Sequence, residues 1–280
     1  MNIGMNLLLW TSQVTEEHFP VIAAIRATGF DGVELPIFDG TLAQYQNIGR
    51  ELKNQGLRST AVTVVGPETN PSSSDAAIRQ AAVDRLKWVI DMIHAFGGET
   101  LCGPYHSPLG VFSGTGATKD EKKFAAETLR TVAEYAAQAK VRLAIEYLNR
   151  FECYFINTAV DTAAFVKQVN HPNFGCMYDT FHAHIEEKDP VSAIATVAPH
   201  LFHVHISEND RGTPGTGQVR WADSFKAIKK TGYDGWMVIE AFGRALPELA
   251  AATRVWRDFF TSREEVYQEG YDFIRKHWKA

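Results

Sequence analysis

The sequence has little cysteine, and what it has is scattered. Its 280 residues include three cysteines, Cys102, Cys153 and Cys176, which form no CxxC pair. With this number and spacing of cysteines we expect no disulfide framework, which fits a protein of the reducing cytoplasm. We interpret Cys153 as a packing residue rather than a nucleophile, because free cysteines are most often simply buried.

Long apolar runs and an excess of basic residues are also missing. The apolar start, residues 3–10, has no basic segment before it and no small-residue cleavage site after it, as a signal peptide would. No stretch approaches the roughly 20 apolar residues that cross a bilayer. The formal net charge of −5 argues against a nucleic-acid partner, which would call for a basic face. We therefore expect a cytoplasmic protein with neither a membrane nor a nucleic acid as partner.

What the sequence does have is a regular alternation of short apolar runs and longer amphipathic stretches. It predicts eight strands, at residues 3–9, 32–37, 58–65, 100–105, 142–147, 174–179, 201–207 and 236–241. It predicts helices at residues 18–28, 42–54, 75–96, 119–140, 158–169, 190–197 and 221–230, and a long helical tail at 246–277. The fold class is thus α/β, and residues 1–280 are expected to form a single (β/α)8 TIM barrel domain with an extra C-terminal helical segment. A doubly wound open sheet is the alternative topology.

Four successive predicted strands end in residues that can bind a metal. Glu146 ends strand five, Asp179 strand six and Glu240 strand eight, while strand seven carries His203 and His205 on one face. In such a barrel the carboxyl ends of the strands form one rim, where catalytic groups lie. Each residue alone could be a helix cap or a surface charge, but several carboxylates at one rim need a cation or protons.

This set of side chains favours an oxygen-preferring metal. Three carboxylates and one imidazole suit Mn²⁺ or Mg²⁺, whereas Zn²⁺ prefers tetrahedral sites rich in histidine or cysteine. His205 is the expected ligand because it lies nearer the end of its strand, and His203 is expected to support it or to belong to the core.

The same residues lie within longer motifs. These are EYLNRFE at residues 146–152, DTFH at 179–182 and HISENDR at 205–211, with a weaker motif, NPSSSD, at 70–75. The chain resembles the ketose 3-epimerases of the xylose-isomerase-like barrel superfamily, the D-tagatose 3-epimerase and D-allulose (psicose) 3-epimerase group. The resemblance extends from the first strand to the last, but the loops at residues 66–74 and 106–118, which would choose the substrate, do not align clearly.

The resemblance implies a metal site and an oligomer. The matching positions for the metal ligands are Glu146, Asp179, His205 and Glu240. Mn²⁺ is the expected metal, with Mg²⁺ or Co²⁺ as alternatives, and a homodimer or homotetramer is the expected assembly.

It also implies roles around a sugar substrate. Glu146 and Glu240 match the two acid/base carboxylates, and Glu152, His182 and Arg211 match residues that hold the carbonyl and hydroxyl groups at one end of the sugar. A divalent cation at those oxygens would stabilise an enediolate, and two carboxylates on opposite sides of the sugar could invert a carbon. The expected reaction interconverts C3 epimers of free ketoses, such as D-tagatose with D-sorbose or D-fructose with D-allulose.

Other interpretations remain open. The same carboxylate pair serves aldose–ketose isomerisation, hydroxypyruvate-type isomerisation and epimerisation of a keto-glycoside. A metal-dependent endonuclease for abasic sites would need more histidines and a basic face, and a sugar-binding protein would not need two proton-transfer carboxylates. At single positions, Arg211 could be a surface arginine in a glycine-rich loop, and Glu152 could form a salt bridge with Arg150. Glu34, within strand two, is expected to contact the substrate or to pair with a nearby base.

Overall fold

The computed structural model describes residues 1–279, in which eight parallel strands close into a barrel. The strands are β1 (Asn2–Asn6), β2 (Gly32–Pro36), β3 (Arg58–Val62), β4 (Thr100–Gly103), β5 (Arg142–Ile145), β6 (Phe174–Asp179), β7 (Leu201–Ile206) and β8 (Trp236–Ile239). Each strand pairs with the next one along the chain, and β8 pairs with β1. The predicted barrel is confirmed, and the pairing of β1 with β8 excludes the open sheet.

Ten helices lie between and after the strands of the described chain. They are α1 (Phe19–Thr28), α2 (Leu42–Gln55), α3 (Ala76–Phe96), α4 (Lys119–Gln138), α5 (Ala159–Val169), α6 (Thr180–Glu186), α7 (Pro190–Val197), α8 (Trp221–Lys230), α9 (Pro247–Thr253) and α10 (Arg263–Lys279). Local sequence sets several of these ends: Thr118 and Glu121 form a capping box at the start of α4, and α2 ends at Gly56, whose φ of 66° suits glycine. No helix among residues 1–279 is long and apolar enough to cross a membrane.

The first strand is shorter than the sequence predicts. The strand predicted for residues 3–9 ends at Asn6, and Leu7–Leu9 form a 3-10 turn instead. The side chain of Asn6 starts this turn by accepting a hydrogen bond of 2.8 Å from the N–H of Leu8. A side-chain acceptor for a free N–H at a turn is the usual way in which asparagine ends regular structure. Asn6 therefore lies on the rim of the barrel rather than in the middle of a strand.

One helix at the rim was not predicted. Helix α6 follows β6 directly, because Oδ1 of Asp179 accepts hydrogen bonds from the N–H groups of Phe181 at 2.6 Å and His182 at 3.3 Å. A carboxylate in this position satisfies two of the N–H groups that every helix leaves free at its start. The end of β6 and the start of α6 thus share one residue.

The extra C-terminal helical segment is confirmed, but as two helices rather than the single helix predicted at residues 246–277. Helix α9 ends at Arg254, whose φ of 61° is left-handed and closes a helix, and the next residue, Val255, is buried. Helix α10 then packs on α1, α8 and the barrel strands β1 and β8. The left-handed backbone at Arg254 therefore ends α9, and the chain returns to a helix only at Arg263.

The cysteines agree with the expectation from their spacing. All three are free and buried. The sulfur of Cys153 accepts a hydrogen bond from the N–H of Phe155 at 3.2 Å and lies 3.4 Å from the hydroxyl of Ser107. Burial raises the pKa of its thiol, which opposes the formation of a nucleophilic thiolate.

Candidate metal centre and active site

The barrel brings the four predicted metal ligands together at its carboxyl-terminal rim. Asp179 on β6 lies beside His205 on β7 in the strand register, while Glu146 and Glu240 directly follow β5 and β8. One ligand-type atom from each of the four lies within 4.8 Å of all the others. All four residues are buried. Buried carboxylates this close together repel one another unless a cation or protons compensate for their charge.

The imidazole of His205 is oriented as a metal ligand would be. Its Nε2 lies 2.7 Å from Oε1 of Glu34, which fixes one edge of the ring. Its Nδ1 lies 3.6 Å from Asp179 and 3.4 Å from Glu240, yet this nitrogen has no hydrogen-bond partner. A buried nitrogen without a partner, facing two carboxylates, fits a divalent cation coordinated by all three groups.

Asp179 divides its two oxygens between structure and the site. Oδ1 accepts the two hydrogen bonds that begin α6, and Oδ2 faces His205 and Arg211. Because the helix start holds the carboxylate in place, Oδ2 is available to the cluster without loss of a structural contact. Burial opposes ionisation, but Arg211 and then His205 hold the pKa of Asp179 below its usual value.

Arg211 is the cation that balances part of this charge. Its side chain is buried, and Nη1 donates to Oε2 of Glu240 at 2.8 Å and to the hydroxyl of Ser207 at 2.8 Å. The guanidinium lies between the rings of Phe181, 3.7 Å from the ring centre, and Phe242, 4.8 Å away. The interpretation of Arg211 as a surface arginine is therefore wrong, since its charge is matched and sandwiched inside the site.

His182 presents a second hydrogen-bond donor beside Arg211. The backbone N–H of Asn149 donates to Nδ1 of His182 at 3.0 Å, so in the neutral ring we assign the proton to Nε2. Burial, and then the charge of Arg211, lower the pKa of His182 to about 3, which keeps the ring neutral near pH 7. Its Nε2 lies 3.1 Å from Nη2 of Arg211 and 3.6 Å from Glu146. His182 and Arg211 both line the pocket described below, so each can face an acceptor oxygen there.

Glu152 also belongs to this site rather than to a surface ion pair. It is buried and accepts a hydrogen bond of 2.8 Å from the side chain of Asn149. Arg150 pairs instead with Glu186, at 3.0 Å. The alternative of a salt bridge between Glu152 and Arg150 is therefore excluded. Burial raises the pKa of Glu152.

A pocket opens beside these groups. One wall is polar and consists of Glu146, Glu152, His182, Arg211 and Glu240. The other walls are mainly apolar and include Phe38 after β2, Leu148 after β5, and Leu249 of α9. Asp179 and His205 are not among the residues that line the pocket, which places them below it. The predicted substrate-binding residues thus share one pocket with the predicted acid/base pair, and the C-terminal segment helps to close it.

The two acid/base candidates have different proton affinities. Burial, and then the negative charges of Glu240 and Asp179, raise the pKa of Glu146 well above its usual value. Burial acts in the same direction on Glu240, but the positive charges of His205 and Arg211 hold its pKa below the usual value. Environments that separate two neighbouring carboxyl groups in this way are typical of an acid and a base that act together.

The sequence interpretation overlooked Asn6 altogether. Its amide nitrogen lies 3.0 Å from Glu34 and 3.2 Å from Glu240, inside the cluster. The predicted strand at residues 3–9 placed Asn6 in the middle of a strand, which concealed that it ends β1 at the same rim. A polar residue between apolar neighbours near a strand end was the available signal. Tyr105 and His106, which follow β4, are also buried, and Nε2 of His106 lies 2.9 Å from the carbonyl oxygen of Glu146.

The closed parallel barrel, with carboxylates and a histidine gathered at its carboxyl-terminal rim, places this protein among the TIM barrels. Comparison with known proteins gives the family. Residues 22–277 match the xylose isomerase-like TIM barrel family, and the chain belongs to it. A ketose 3-epimerase from Arthrobacter globiformis is 32% identical, over 98% of this chain and 96% of the relative. A D-psicose 3-epimerase from Ruminiclostridium cellulolyticum is 33% identical, over 98% of this chain and 97% of the relative. The crystal structure of D-allulose 3-epimerase from Methylomonas sp. in complex with D-allulose superposes with a TM-score of 0.93 at 28% identity, covering 99% of this chain and 97% of that one.

Proposed function

We propose that this protein is a metal-dependent ketose 3-epimerase. It would interconvert C3 epimers of free ketoses, of the D-tagatose/D-sorbose and D-fructose/D-allulose type. The observation that carries the proposal is the convergence of Glu146 and Glu240, from β5 and β8, on one buried cluster that also lines the pocket. The relatives named as ketose and psicose 3-epimerases, similar over almost their full length, support the reaction class.

Inversion at C3 requires two groups that exchange protons with the substrate on opposite faces. Removing the C3 proton on one side and returning a proton on the other inverts the carbon, and a single carboxylate would return it on the same side. Glu146 and Glu240 both line the pocket, so one can accept a proton from the substrate while the other donates one. In the reverse direction the roles exchange.

The four ligands define what metal the site would hold. Glu146, Asp179, His205 and Glu240 supply three carboxylates and one imidazole, a set that favours Mn²⁺, with Mg²⁺ or Co²⁺ as alternatives. When bound, the cation would supply positive charge to the carbonyl and hydroxyl oxygens on which negative charge develops as the proton leaves.

The remaining polar wall would hold the end of the sugar that carries the carbonyl group. Arg211 and His182 line the same pocket, so a substrate oxygen there would accept hydrogen bonds from their N–H groups. Glu152 lines the same pocket and can accept a hydrogen bond from a hydroxyl group. We also propose a single domain, a cytoplasmic location and a homodimer or homotetramer, on the basis of the sequence resemblance.

The direct test follows deuterium from solvent into the sugar. The metal-loaded protein in D2O would be incubated with D-fructose, D-tagatose, D-allulose and L-ribulose, quenched with a chelator, and examined by NMR. We expect deuterium at C3 together with a new epimer. Glu146→Gln and Glu240→Gln should each be slower by roughly 10²–10⁴-fold or more, because each removes one proton-transfer group. Glu127→Gln, at an exposed position on α4, is the matched control.

Other outcomes point elsewhere. Exchange at C1 or C2 would identify an aldose–ketose isomerase of the same family. Absence of exchange with every free ketose would overturn the proposed substrate class and turn the search to keto-glycosides. Epimerisation that survives both glutamine substitutions would overturn the assigned acid/base pair.

A further inference from the structure

Below the proposed metal centre lies a second group of buried polar side chains, centred on Glu34 of β2. The register of the barrel creates it, because Glu34 lies beside Asn6 of β1 on one side and Thr60 of β3 on the other. Cys102 of β4 and the His203–His205 pair of β7 complete the group. Glu34 is fully buried, so its carboxylate depends entirely on these neighbours for hydrogen bonds.

Donors surround both oxygens of Glu34. Oε1 accepts from the Asn6 amide at 3.0 Å and lies 2.7 Å from Nε2 of His205. Oε2 accepts from the Thr60 hydroxyl at 2.8 Å and from the Cys102 thiol at 3.2 Å, and it lies 2.8 Å from Nε2 of His203. Five side chains thus surround a carboxylate that offers about four lone-pair positions. Both oxygens of Glu34 are therefore engaged by neighbouring side chains.

The orientation of Asn6 follows from its backbone contact. Its Oδ1 accepts from the N–H of Leu8 at 2.8 Å, so the amide nitrogen must face the interior of the site. That nitrogen reaches Glu34 at 3.0 Å and Glu240 at 3.2 Å. Asn6 therefore joins Glu34 to one of the proposed acid/base carboxylates, and the 3-10 turn after β1 fixes the link.

We propose that Glu34 is a positioning residue for the metal centre. It accepts a hydrogen bond from the Nε2–H of His205, and this contact turns the lone pair of Nδ1 toward Asp179 and Glu240. The inference rests on the proposed function, because it assumes that His205 binds a metal. The other nitrogen of a metal-binding histidine is commonly held by a carboxylate, which fixes the tautomer and makes the ligand more basic. Glu34 is not among the residues that line the pocket, so it acts through His205 and, through Asn6, on Glu240.

Metal binding to the purified, metal-stripped protein tests this inference without reference to turnover. Titration calorimetry with Mn²⁺, and with Co²⁺ followed by its visible spectrum, would compare wild type with Glu34→Gln and Glu34→Asp. We expect one equivalent of metal in each, with the affinity of both variants lower by roughly 10–100-fold and an altered Co²⁺ spectrum. Glu34→Gln loses the negative charge that makes the ligand ring more basic, and Glu34→Asp no longer reaches the ring. Glu34→Asp is the second variant because it keeps the charge and the acceptor but withdraws them from His205.

Thr60→Val is the matched control. It removes a donor from the other oxygen of Glu34 and leaves the contact with His205 intact, so its metal affinity should stay within about threefold of wild type. Thermal unfolding of the metal-free proteins shows that each variant folds.

The outcomes separate the inference from the function on which it rests. Wild-type affinity in folded Glu34→Gln and Glu34→Asp would overturn the positioning role and leave the proposed epimerase intact. Two equivalents of metal in wild type, one of them lost in Glu34→Gln, would also overturn it, because Glu34 would then be a ligand of a second metal. If wild type bound no divalent cation, the proposed function and the inference would both fall.

Discussion

Single residues in this site carry more than one task. Asp179 begins α6 with one oxygen and faces the proposed metal with the other, and Arg211 neutralises carboxylates while presenting a donor to the pocket. A side chain that makes both contacts supplies partners to several charges in a buried space, where every charge needs a partner. It also makes substitutions costly, because the removal of one side chain leaves several others unmatched.

His106 gives a residue-scale prediction about acid stability. Burial lowers its pKa to about 4, from an ordinary value of 6.5. As pH falls below 6.5, the unfolded chain takes up a proton at this histidine that the folded protein does not, so wild type loses stability until pH reaches the folded pKa. By linkage, a shift of this size amounts to roughly 3 kcal/mol between pH 7 and pH 4. The glutamine in His106→Gln cannot titrate. As pH falls from 7 to 4, the free energy of unfolding of this variant should therefore rise by roughly 3 kcal/mol relative to that of wild type.

Urea unfolding of both proteins in the presence of a chelator, at several pH values from 7 to 4, measures this difference. His200→Gln is a suitable control, because His200 is partly exposed and should change the pH profile far less. A difference between His106→Gln and wild type that stays constant with pH would show that His106 titrates in the folded protein as it does in the unfolded chain.

At the scale of elements, the loop between β7 and α8 is built around one carboxylate. Glu208 is fully buried and accepts hydrogen bonds from the N–H groups of Asn209, Gly215 and Val219 and from the indole of Trp221. This arrangement holds the loop that carries Arg211, whose backbone φ of 66° is left-handed. A residue in that conformation costs free energy that the surrounding contacts must offset.

We predict that Glu208→Ala lowers the free energy of unfolding by roughly 2–4 kcal/mol, because it leaves buried N–H donors without partners. It should also lower kcat/KM for the best ketose, since Arg211 loses the loop that places it. Urea unfolding and steady-state kinetics measure the two effects. Glu264→Ala, at an exposed position in the first turn of α10, is the control. Unchanged stability in Glu208→Ala would show that water replaces the carboxylate.

At the scale of the whole molecule, the barrel closes only when residues from both ends of the chain pair. Strand β1 pairs with β8, and Asn6 on β1 contacts Glu240 just after β8. The proposed metal ligands come from four strands, so a bound cation would link β5 to β8 across half of the barrel. A ligand that binds only the folded state stabilises it by mass action.

We therefore predict that Mn²⁺ raises the midpoint of thermal unfolding. At a free concentration of about 100 times Kd the gain is about 2.7 kcal/mol, which corresponds to an increase in Tm of roughly 5–10 °C for a chain of this size. Differential scanning calorimetry of the metal-stripped protein, with and without Mn²⁺, measures it. Asp179→Asn should give a smaller increase, since it removes a charged ligand. An identical Tm with and without Mn²⁺ would contradict the metal site.

Much of this architecture could be predicted from the sequence, for a physical reason. In a (β/α)8 barrel the strands follow one another in chain order and all their carboxyl ends lie on one rim. The positions at which β5, β6, β7 and β8 end are therefore enough to group Glu146, Asp179, His205 and Glu240 from the sequence. The periodicity of apolar residues supplied those ends to within a few positions.

Other features depend on contacts between residues far apart in the chain, which periodicity does not record. The closure of β1 on β8 brings Asn6 to Glu240, and the register of β1, β2 and β3 gathers donors around Glu34. Val255 lies directly after the end of α9, and its burial likewise exists only in the folded chain. Local pattern and chain order are enough to predict that Glu146, Asp179, His205 and Glu240 meet at the rim. Their protonation, orientation and hydrogen-bond partners depend on burial and on charges from distant strands, so these properties are defined only in the folded chain.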